Sequence, residues 1–254
     1  MTVIIGISGK KQSGKSDLCN YLTQFAFSTY GLLDVNFFSF ASSFKDKICI
    51  DILGLSYEQC YGTDEQKNEL TKYKWENFPD FISFNYPNRK KYMTAREILQ
   101  VLGTEIFRNF FDRNVWVDAT FREIKKKSPK VAIIPDVRFP GEVERIIKEN
   151  GYVIRLTRNI LNDSHESETI LDKYFFSGER CYIINNQNMT LFEQRKEAEE
   201  IFVGILKKNK LINKYPKSNS EIDKMLDNIK AEPFSKEKID RMLKKVKSKI
   251  DERK

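Results

Sequence analysis

A short segment near the start of the chain combines glycine, lysine and serine at the spacing of a phosphate-binding loop. Residues 9–16 read GKKQSGKS and match G-x-x-x-x-G-K-[ST] at every fixed position. Glycines let the backbone curve until several N–H groups face one phosphate chain at the positive end of a helix. The lysine can then reach the β- and γ-phosphates, and the serine hydroxyl can hold Mg²⁺. The pattern predicts a nucleoside triphosphate site formed by Gly9, Lys10, Lys11, Gln12, Ser13, Gly14, Lys15, Ser16 and Asp17.

The segments on either side of this phosphate loop (residues 9–16) are the ones that such a loop needs. Residues 3–8 form a short apolar run typical of a buried strand. After the loop, apolar residues recur at helical spacing, at Leu18, Tyr21, Leu22 and Phe25. A strand, a loop and a helix in this order give the sequence pattern a physical basis. The alternative is a chance turn rich in glycine and lysine, which would require neither flank.

An acid and an arginine follow a second apolar strand. Residues 131–135 read VAIIP, and Asp136 and Arg138 come soon afterwards. An acid at the carboxyl end of a strand beside a phosphate loop can hold Mg²⁺ or its water, or fix a substrate hydroxyl. Arg138 can neutralise charge on a phosphoryl group in transfer. Ser16 and Asp136 are therefore the predicted metal ligands, and the alternative is that Asp136 only caps the following turn.

A helix with an unusual polar face is predicted from Thr94 onward. Glu97 stands three residues after Thr94, as in a capping box, and apolar residues line one side of the run. At helical spacing the other side carries Arg96, Gln100, Gly103 and Thr104. Arginine suits phosphate, glutamine suits a base, and a glycine in mid-helix costs about 1 kcal/mol relative to alanine. We therefore expect a ligand or a neighbouring backbone close to Gly103; a solvated face is the alternative.

Two further segments carry polar residues suited to a substrate. Lys45 follows the strand predicted over residues 35–40 and is placed for an acceptor phosphate, although it also fits an exposed helix start. Arg158 follows a later strand, and residues 158–175 are placed where a lid would close over the site. His165, the only histidine, lies in this segment without a serine elbow or a nearby thiolate. Nucleophilic and zinc chemistry are therefore not expected, and His165 is interpreted as a lid residue or a structural one.

Five short apolar segments predict an α/β fold built on a five-stranded parallel sheet. They cover residues 3–7, 35–40, 131–135, 152–157 and 181–185. A helix over residues 141–150 has Pro140 near its first turn and Gly151 predicted at the C′ position. The second and third strands are too far apart for a simple crossover. The sequence thus predicts helices flanking the sheet, with a helical insertion and a lid on the substrate side.

The positive charge of the chain is confined to its C-terminal end. The net charge is +8, and residues 207–254 hold 16 Lys and Arg against 8 Asp and Glu, so residues 1–206 balance to zero. The predicted division is a phosphate-loop domain over residues 1–206, a linker over 207–220 and a basic helical tail over 221–254. The tail repeats one amphipathic helical pattern twice.

Composition narrows the class of protein. A hydrophobic content of 40% and an aromatic content of 13% indicate a globular chain. The four cysteines have no metal-like spacing and suit a reducing cytoplasm. No apolar run is long enough to span a bilayer and no signal-peptide pattern is present, so neither membrane insertion nor secretion is expected.

Three stretches of the chain together resemble one known family. They are TAREILQVLGTEIFRNFFDRNVW at residues 94–116, VAIIPDVRFPGEVERIIKENGYVIRLTR at 131–158 and DSHESE at 163–168. In this order they resemble the phage deoxynucleoside monophosphate kinases, which are P-loop kinases of the nucleoside monophosphate kinase fold. The resemblance extends over residues 1–206. It implies phosphoryl transfer from ATP to a deoxynucleoside monophosphate with Mg²⁺, in the host cytoplasm if the source is a virus.

The resemblance also implies roles for particular residues. In direct, in-line transfer the catalytic residues would be Lys15, Asp136, Arg138 and Arg158. Deoxynucleotide contacts are implied at Phe44, Lys45, Lys67, Arg96, Gly103, Thr104, Trp116, Asp136, Arg138 and Glu142, and the polar helix face adds Gln100. Phe139 stands where some relatives have a polar residue, which bears on base choice. The family is often dimeric, so a homodimer is one expectation, while the tail is outside the family pattern.

Other functions stay open at this point. A polynucleotide 5′-kinase would need a basic trough, whereas the body of the chain is charge-neutral. A small-molecule kinase of another pathway, such as one acting on dephospho-coenzyme A, would share the phosphate loop. A binding protein with the nucleotide site as scaffold would not need Lys15, Ser16, Asp136 and Arg138 intact. The tail either covers part of the body or docks to nucleic acid or replication proteins.

Overall fold

A parallel sheet forms the centre of the molecule. The computed structural model describes residues 1–79, 82, 86, 91–160 and 169–212. The strands of this part are β1 (Val3–Ser8), β2 (Val35–Phe37), β3 (Leu70–Lys74), β4 (Tyr92–Thr94), β5 (Val131–Val137), β6 (Tyr152–Leu156) and β7 (Cys181–Ile184). Five of them pair in parallel in the order β2–β5–β1–β6–β7, which confirms the predicted sheet. Because β1 is central and next to β5, the phosphate loop and the end of β5 meet at one edge of the sheet.

Two strand ends differ from the prediction by more than one residue. β2 stops at Phe37, although the Phe38 N–H still donates to the Ile133 carbonyl at 2.9 Å. The chain then turns at Ser39, whose hydroxyl donates to Asp136 at 2.6 Å. β5 runs two residues beyond its predicted end, through Val137. Asp136 therefore lies inside the strand rather than after it, and it holds the turn that ends β2.

Helices cover both faces of the sheet. The α-helices of the described chain are α1 (Lys15–Tyr30), α2 (Tyr57–Tyr61), α3 (Asp64–Lys67), α4 (Ala95–Gln100), α5 (Val115–Lys127), α6 (Pro140–Lys148) and α7 (Leu191–Lys208). Two segments have π-helical hydrogen bonding, π1 (Phe44–Ile52) and π2 (Val101–Phe111), and π2 continues α4 directly. Leu22 of α1 packs with Phe202 of α7 on one face, and Phe121 of α5 packs with Val143 of α6 on the other. β1 and β6 are consequently buried along their whole length, as parallel strands are.

The predicted insertion lies between β2 and α5 and has a core of its own. It contains π1, α2, α3, α4 and π2, packed around buried residues such as Phe44, Met93 and Ile98. It also contains β3 and β4, which pair antiparallel as a separate two-stranded sheet. The sequence predicted only helices here. Residues 70–74 read LTKYK, and none of them is fully buried, so no run of apolar residues signals the strand.

The end of α6 also differs from the prediction. The helix covers Pro140–Lys148, and Asn150, with φ 59°, adopts the left-handed conformation that had been expected of Gly151. The Asn150 N–H donates to the Ile147 carbonyl at 2.9 Å and the Gly151 N–H to the Ile146 carbonyl at 2.8 Å, which is a Schellman motif. Glycine is needed at 151 for space, because a Cβ there would lie 2.9 Å from the Ile4 carbonyl oxygen.

Some predictions lie outside the described residues. These are the DSHESE segment with His165, and the chain from residue 213 to the end, which includes the repeated tail. At the start of the predicted linker, residues 207 and 208 belong to α7, and Leu211 and Ile212 pack against the core beneath α1. Within the described part of the chain, no helix is both long and apolar enough to cross a membrane.

Candidate active site

The phosphate loop connects β1 to α1, and there is little or no room for a side chain at either of its motif glycines. Gly14 ends the loop with φ 95°, a left-handed conformation that favours glycine. A Cβ on Gly14 would also lie 3.0 Å from the Gln194 side-chain amide. A Cβ on Gly9 would lie 2.5 Å from Ser13 Oγ and 3.2 Å from Leu156. The loop can therefore keep this shape only with glycine at both positions.

Polar groups of the loop are arranged to receive an anion. The Lys15 Nζ donates to the carbonyl oxygens of Gly9 and Lys10, each at 2.6 Å, so the ammonium group crosses over the loop. Ser13 is buried, and its Oγ has no hydrogen-bond partner among the described residues. Its position inside the loop, at the N-terminus of the 16-residue helix α1, is suited to a phosphate oxygen. These observations fit a nucleoside triphosphate.

Arg155 and Asp172 form hydrogen bonds and ion pairs next to the phosphate loop. Arg155, only 8% exposed, donates to Ser8 Oγ at 2.9 Å and to Asp172 at 2.9 Å. Asp172 lies in a 3₁₀ turn (Ile170–Lys173) and also pairs with Lys10 at 2.6 Å. Neither Arg155 nor Asp172 was among the site residues predicted from the sequence. The signal for Arg155 was a charged residue inside the apolar run YVIRL, since such a charge is buried only with a partner.

Asp17, predicted as a nucleotide contact, is bound to a different partner. Its two carboxylate oxygens accept from Nη2 and Nε of Arg195, at 2.6 and 3.1 Å. The hydrogen bond with Asp17 raises the pKa of Arg195. Asp17 therefore joins α1 to α7 in this structure, and it contributes to the site by fixing the helix that follows the loop.

The two predicted metal ligands come from different elements. Ser16 is exposed in the first turn of α1, while Asp136 accepts hydrogen bonds from Ser39 Oγ at 2.6 Å and from the Phe40 N–H at 3.2 Å. Asp136 thus does cap a turn, although it is the turn after β2 rather than its own. Within the described ranges, no three acidic, His or Cys side chains form a ready-made metal cage. Mg²⁺ bound mainly through phosphates and water needs only one or two protein oxygens.

Three cations from separate elements meet beside Asp136. Lys45 lies in π1, Lys67 in α3 and Arg138 after β5, and we call these three residues the acceptor cluster. Burial lowers the pKa of Lys45, the charges of Lys67 and Arg138 lower it further, and the charge of Asp136 opposes them. The Lys45 ammonium also lies 4.5 Å from the centre of the Tyr61 ring. Electrostatic interactions thus link Lys45 to three other predicted substrate residues, Lys67, Asp136 and Arg138.

Arg96 is held close to the phosphate loop by one acid. Its Nη2 donates to Asp64 Oδ1 at 2.7 Å, and its Nε donates to Asn68 Oδ1 at 2.9 Å. The other oxygen of Asp64 accepts from the Lys11 Nζ at 3.1 Å. Lys11 belongs to the phosphate loop, so Asp64 bridges the two predicted binding regions. The role of Asp64 as a bridge could not be predicted from the sequence, because Lys11 and Arg96 stand 53 and 32 positions away from it.

The helix predicted after Thr94 is present, and its hydrogen bonding changes after Gln100. The capping box of Thr94 and Glu97 is present, but from Val101 the hydrogen bonding becomes π-helical and the turn widens. A Cβ on Gly103 would lie 2.8 Å from the Phe44 ring. The close neighbour of Gly103 is thus an aromatic side chain, not the expected ligand or backbone. Thr104 is exposed and Gln100 is half-buried.

Phe44 and Trp116 form an aromatic cluster with Phe107. The ring centres of Phe44 and Trp116 are 5.0 Å apart, and those of Phe107 and Trp116 are 5.1 Å apart. The Trp116 Nε1–H donates to the Gly103 carbonyl at 2.9 Å, which joins α5 to π2. Phe44 is only 4% exposed, so the cluster holds the insertion together and leaves Phe44 little surface for a ligand.

Glu142 fixes the backbone beside the acceptor cluster. This carboxylate is 3% exposed and accepts from the N–H groups of Arg138 at 2.7 Å and Phe139 at 3.0 Å. It also pairs with Arg108 of π2 at 3.3 Å, and the Arg108 guanidinium lies 3.4 Å from the centre of the Phe139 ring. Burial raises the pKa of Glu142 to about 7 against the opposing hydrogen bond from Arg138. Arg108 was missed because nothing near it in sequence marks its partners.

Arg158 lies against the loop after β7. Its Nε donates to the Asn186 carbonyl at 3.0 Å, and its Nη2 donates to the Met189 carbonyl. Asn186 in turn donates to the Ser13 carbonyl at 2.9 Å and to Gln194 Oε1 at 2.6 Å. The structure therefore places Arg158 on the donor side, through backbone carbonyls. Its direct role in charge neutralisation stays a prediction.

Comparison with known proteins identifies the family. A family model described as deoxynucleotide monophosphate kinase matches residues 40–195. The chain belongs to this family. It is 32% identical over 182 residues to a protein of Acanthamoeba polyphaga mimivirus provisionally named a deoxynucleotide monophosphate kinase, with 66% of this chain and 82% of that protein covered. It is also 26% identical over 186 residues to the deoxynucleoside-5′-monophosphate kinase of Escherichia phage T5, with 59% and 74% covered.

The part of the chain matched by the kinase family model contains the acceptor side of the site. It includes the acceptor cluster, the aromatic cluster and Glu142, and it ends in α7. The phosphate loop precedes it. The donor side of this kinase is therefore supported by the motif and its geometry, and the acceptor side by the family match as well.

Proposed function

We propose that the chain transfers the γ-phosphoryl group of ATP to the 5′-phosphate of a deoxynucleoside monophosphate, with Mg²⁺ as cofactor. Family membership makes the chain a phosphotransferase acting on deoxynucleoside monophosphates. The observation that carries the proposal is the meeting of the phosphate loop and the acceptor cluster at one edge of the sheet. Asp136 lies in β5, whose Val137 is paired with Ser8 at the end of β1, so the carboxylate is at the edge of the sheet where the phosphate loop begins.

On the donor side, the phosphate loop would bind the triphosphate of ATP. The Lys15 ammonium would exchange the carbonyls of Gly9 and Lys10 for phosphate oxygens, which are stronger partners because they are charged. The orphaned Ser13 Oγ and the N-terminus of α1 would supply further hydrogen bonds. The loop is suited to this role because Asn186 and Arg155 already fix it in place.

The residues present also fit Mg²⁺. Ser16 and Asp136 offer a hydroxyl and a carboxylate, both hard oxygen ligands, and phosphate oxygens and water would complete the coordination. When bound, the ion neutralises charge that develops on the phosphates during transfer. Asp136 would keep its hydrogen bond from Ser39, which orients the carboxylate.

On the acceptor side, Lys45, Lys67 and Arg138 would bind the monophosphate. Burial and the charges of Lys67 and Arg138 lower the pKa of Lys45, and a dianionic phosphate bound beside these cations would offset their repulsion. An oxygen of the acceptor phosphate attacks the γ-phosphorus, the bond to the β-bridging oxygen breaks, and ADP leaves. No protein nucleophile is needed, so these residues act by positioning and by charge. Glu142 would position Arg138 by holding its backbone N–H.

A turnover panel tests this proposal. ADP release from ATP and Mg²⁺ would be measured with each of the four deoxynucleoside monophosphates, the four ribonucleotides, dephospho-coenzyme A and a 5′-hydroxyl oligonucleotide. We expect turnover with one or more deoxynucleoside monophosphates. Lys15→Ala should lose this turnover, and Lys148→Ala should keep it, because Lys148 is an exposed residue of α6. Activity on the oligonucleotide alone would instead assign a polynucleotide 5′-kinase, and activity on dephospho-coenzyme A alone another small-molecule kinase.

The remaining predictions concern assembly and location. A homodimer, a cytoplasmic location and contact of the tail with nucleic acid or replication proteins stay predictions. For the tail, truncation after Asn209 is the direct experiment. Loss of salt-dependent DNA retention would support docking, and unchanged retention would contradict it.

A further inference from the structure

Asp64 joins the donor side of the site to the acceptor side. One carboxylate oxygen accepts from Lys11 in the phosphate loop at 3.1 Å, and the other accepts from Arg96 at 2.7 Å. Both cations were predicted to bind nucleotide phosphates, one from each substrate. In the free enzyme, therefore, a single carboxylate binds a donor-side cation and an acceptor-side cation at the same time.

The two ion pairs of Asp64 are weak enough to be broken in every catalytic cycle. The side chains of Lys11, Asp64 and Arg96 are 49%, 62% and 37% exposed, so water and salt screen both ion pairs. A phosphate group carries more charge and more acceptor oxygens than a carboxylate, and it forms strong paired hydrogen bonds with arginine. Phosphates can thus displace Asp64 from either cation.

The segment around Asp64 would transmit the displacement. Asp64 begins α3, which also contains Lys67 of the acceptor cluster, and Asn68 directly after α3 holds the Nε of Arg96. The capping box of Thr63 and Gln66 closes the single turn of α3. Because α3 is so short and so firmly capped, a shift of Asp64 also moves Lys67 and Asn68.

We propose that Asp64 is a positioning residue that couples the two substrates: its carboxylate occupies Lys11 and Arg96 in the free enzyme, and the phosphates of ATP and the monophosphate replace it. ATP that takes Lys11 removes one of the two partners of Asp64. The Asp64 side chain then loses one of the two contacts that orient it towards Arg96, so Arg96 exchanges more readily to the acceptor phosphate. Binding of one substrate therefore favours binding of the other, by the same factor in both directions. This inference rests on the proposed function.

The test is the affinity for an accepted deoxynucleoside monophosphate, measured by calorimetry without and with saturating β,γ-imido-ATP and Mg²⁺. For the unmodified enzyme we expect the analogue to tighten binding about two- to fivefold, the range of exposed ion pairs. In Asp64→Asn the monophosphate should bind about two- to fivefold more tightly without the analogue, and the analogue should add little. Unchanged affinity and unchanged coupling in this variant would overturn the proposal, as would weaker binding.

Two further variants separate this effect from structural damage. Glu58→Gln removes a charge from an exposed carboxylate of neighbouring α2 and should behave like the unmodified enzyme. Lys11→Gln breaks the bridge from the donor end, so it should bind the monophosphate without the analogue about as tightly as the unmodified enzyme does with it, and the analogue should add little. A Lys11→Gln variant with normal coupling would contradict the proposal. If the unmodified enzyme neither binds nor turns over any monophosphate, the proposed function itself fails, whatever Asp64 does.

Discussion

The donor side of the site is held largely by buried hydrogen bonds, whereas Arg96 on the acceptor side is held by an ion pair open to solvent. Ser8, Asn186 and Gln194 are fully buried around the phosphate loop. On the acceptor side, Asp64 holds Arg96 in a pair that solvent reaches from both partners. The difference suits the two tasks. The triphosphate needs a fixed cradle, while the acceptor region must open, admit one substrate and release a product.

The largest effect expected from this difference between the donor and acceptor sides is on turnover. Lys15→Ala should lower kcat about 10²–10³-fold with every accepted monophosphate, because it removes charge stabilisation from the transferring group. Lys45→Met should instead raise the KM for the monophosphate about 10-fold or more, because it removes a charged hydrogen-bond donor from the acceptor cluster. Steady-state kinetics with both substrates varied would measure this. Equal effects of both variants on kcat would show that the two sides do not divide the work in this way.

The acceptor side also contains a buried charge, and its titration should be visible in stability. The pKa of Glu142 is raised from 4.5 to about 7 by burial, so the folded protein keeps a proton that the unfolded chain releases near pH 4.5. Stability is therefore lost as pH rises through this window, by about 3 kcal/mol when complete. Urea unfolding of the unmodified protein and Glu142→Gln between pH 4.5 and 8 would measure it. Parallel pH profiles for the two proteins would mean that Glu142 does not titrate there.

A buried amide on the donor side should matter next. Asn186→Ala removes the donor to the Ser13 carbonyl and the acceptor of the Arg158 N–H, and leaves buried polar groups without partners. We expect a loss of about 2 kcal/mol in the free energy of unfolding. Asn185→Ala is the matched control, since Asn185 is exposed and accepts only a surface hydrogen bond from Thr157 among the bonds described. Equal losses in both variants would show that the buried hydrogen bonds of Asn186 do not stabilise the donor side more than an exposed one does.

The smallest effect is expected at the pair that joins α1 to α7. Arg195→Lys replaces a paired contact with Asp17 by a single one, and both side chains are about one-third exposed. Stability should fall by less than about 1 kcal/mol, with no change in KM for ATP. Thermal unfolding and kinetics would check both statements. A raised KM for ATP would restore Asp17 to its predicted role as a nucleotide contact.

The sheet and the phosphate loop could be predicted because their signals are local. Each strand of the large sheet is a short apolar run, and the loop is a fixed pattern of eight residues between a strand and a helix. The capping box at Thr94 is local as well. Such features need no knowledge of distant residues, since the backbone and the nearest side chains decide them.

The contacts that complete the site could not be predicted in the same way. Glu142 is buried beside Arg108, 34 positions away, and Asp64 meets Arg96 across 32 positions. The change from α- to π-helical hydrogen bonding at Val101, and the packing of the Phe44 ring against Gly103, are marked by nothing in the local sequence. Tertiary packing decides these features, so only the folded chain reveals Arg108 and Asp172 as parts of the site.

The position of the insertion in the sheet has a consequence for how such enzymes diverge. β2 and β5 are neighbours in the sheet, so the chain that joins them leaves and returns beside the same pair of strands. Residues can be gained or lost there without disturbing any strand pairing, and the insertion carries its own buried core. Several of the predicted acceptor contacts, Lys45, Lys67 and Arg96, thus lie on a piece of chain that can vary separately from the sheet. A graft of this segment from one relative to another would exchange those contacts and leave β1, the phosphate loop and α1 in place.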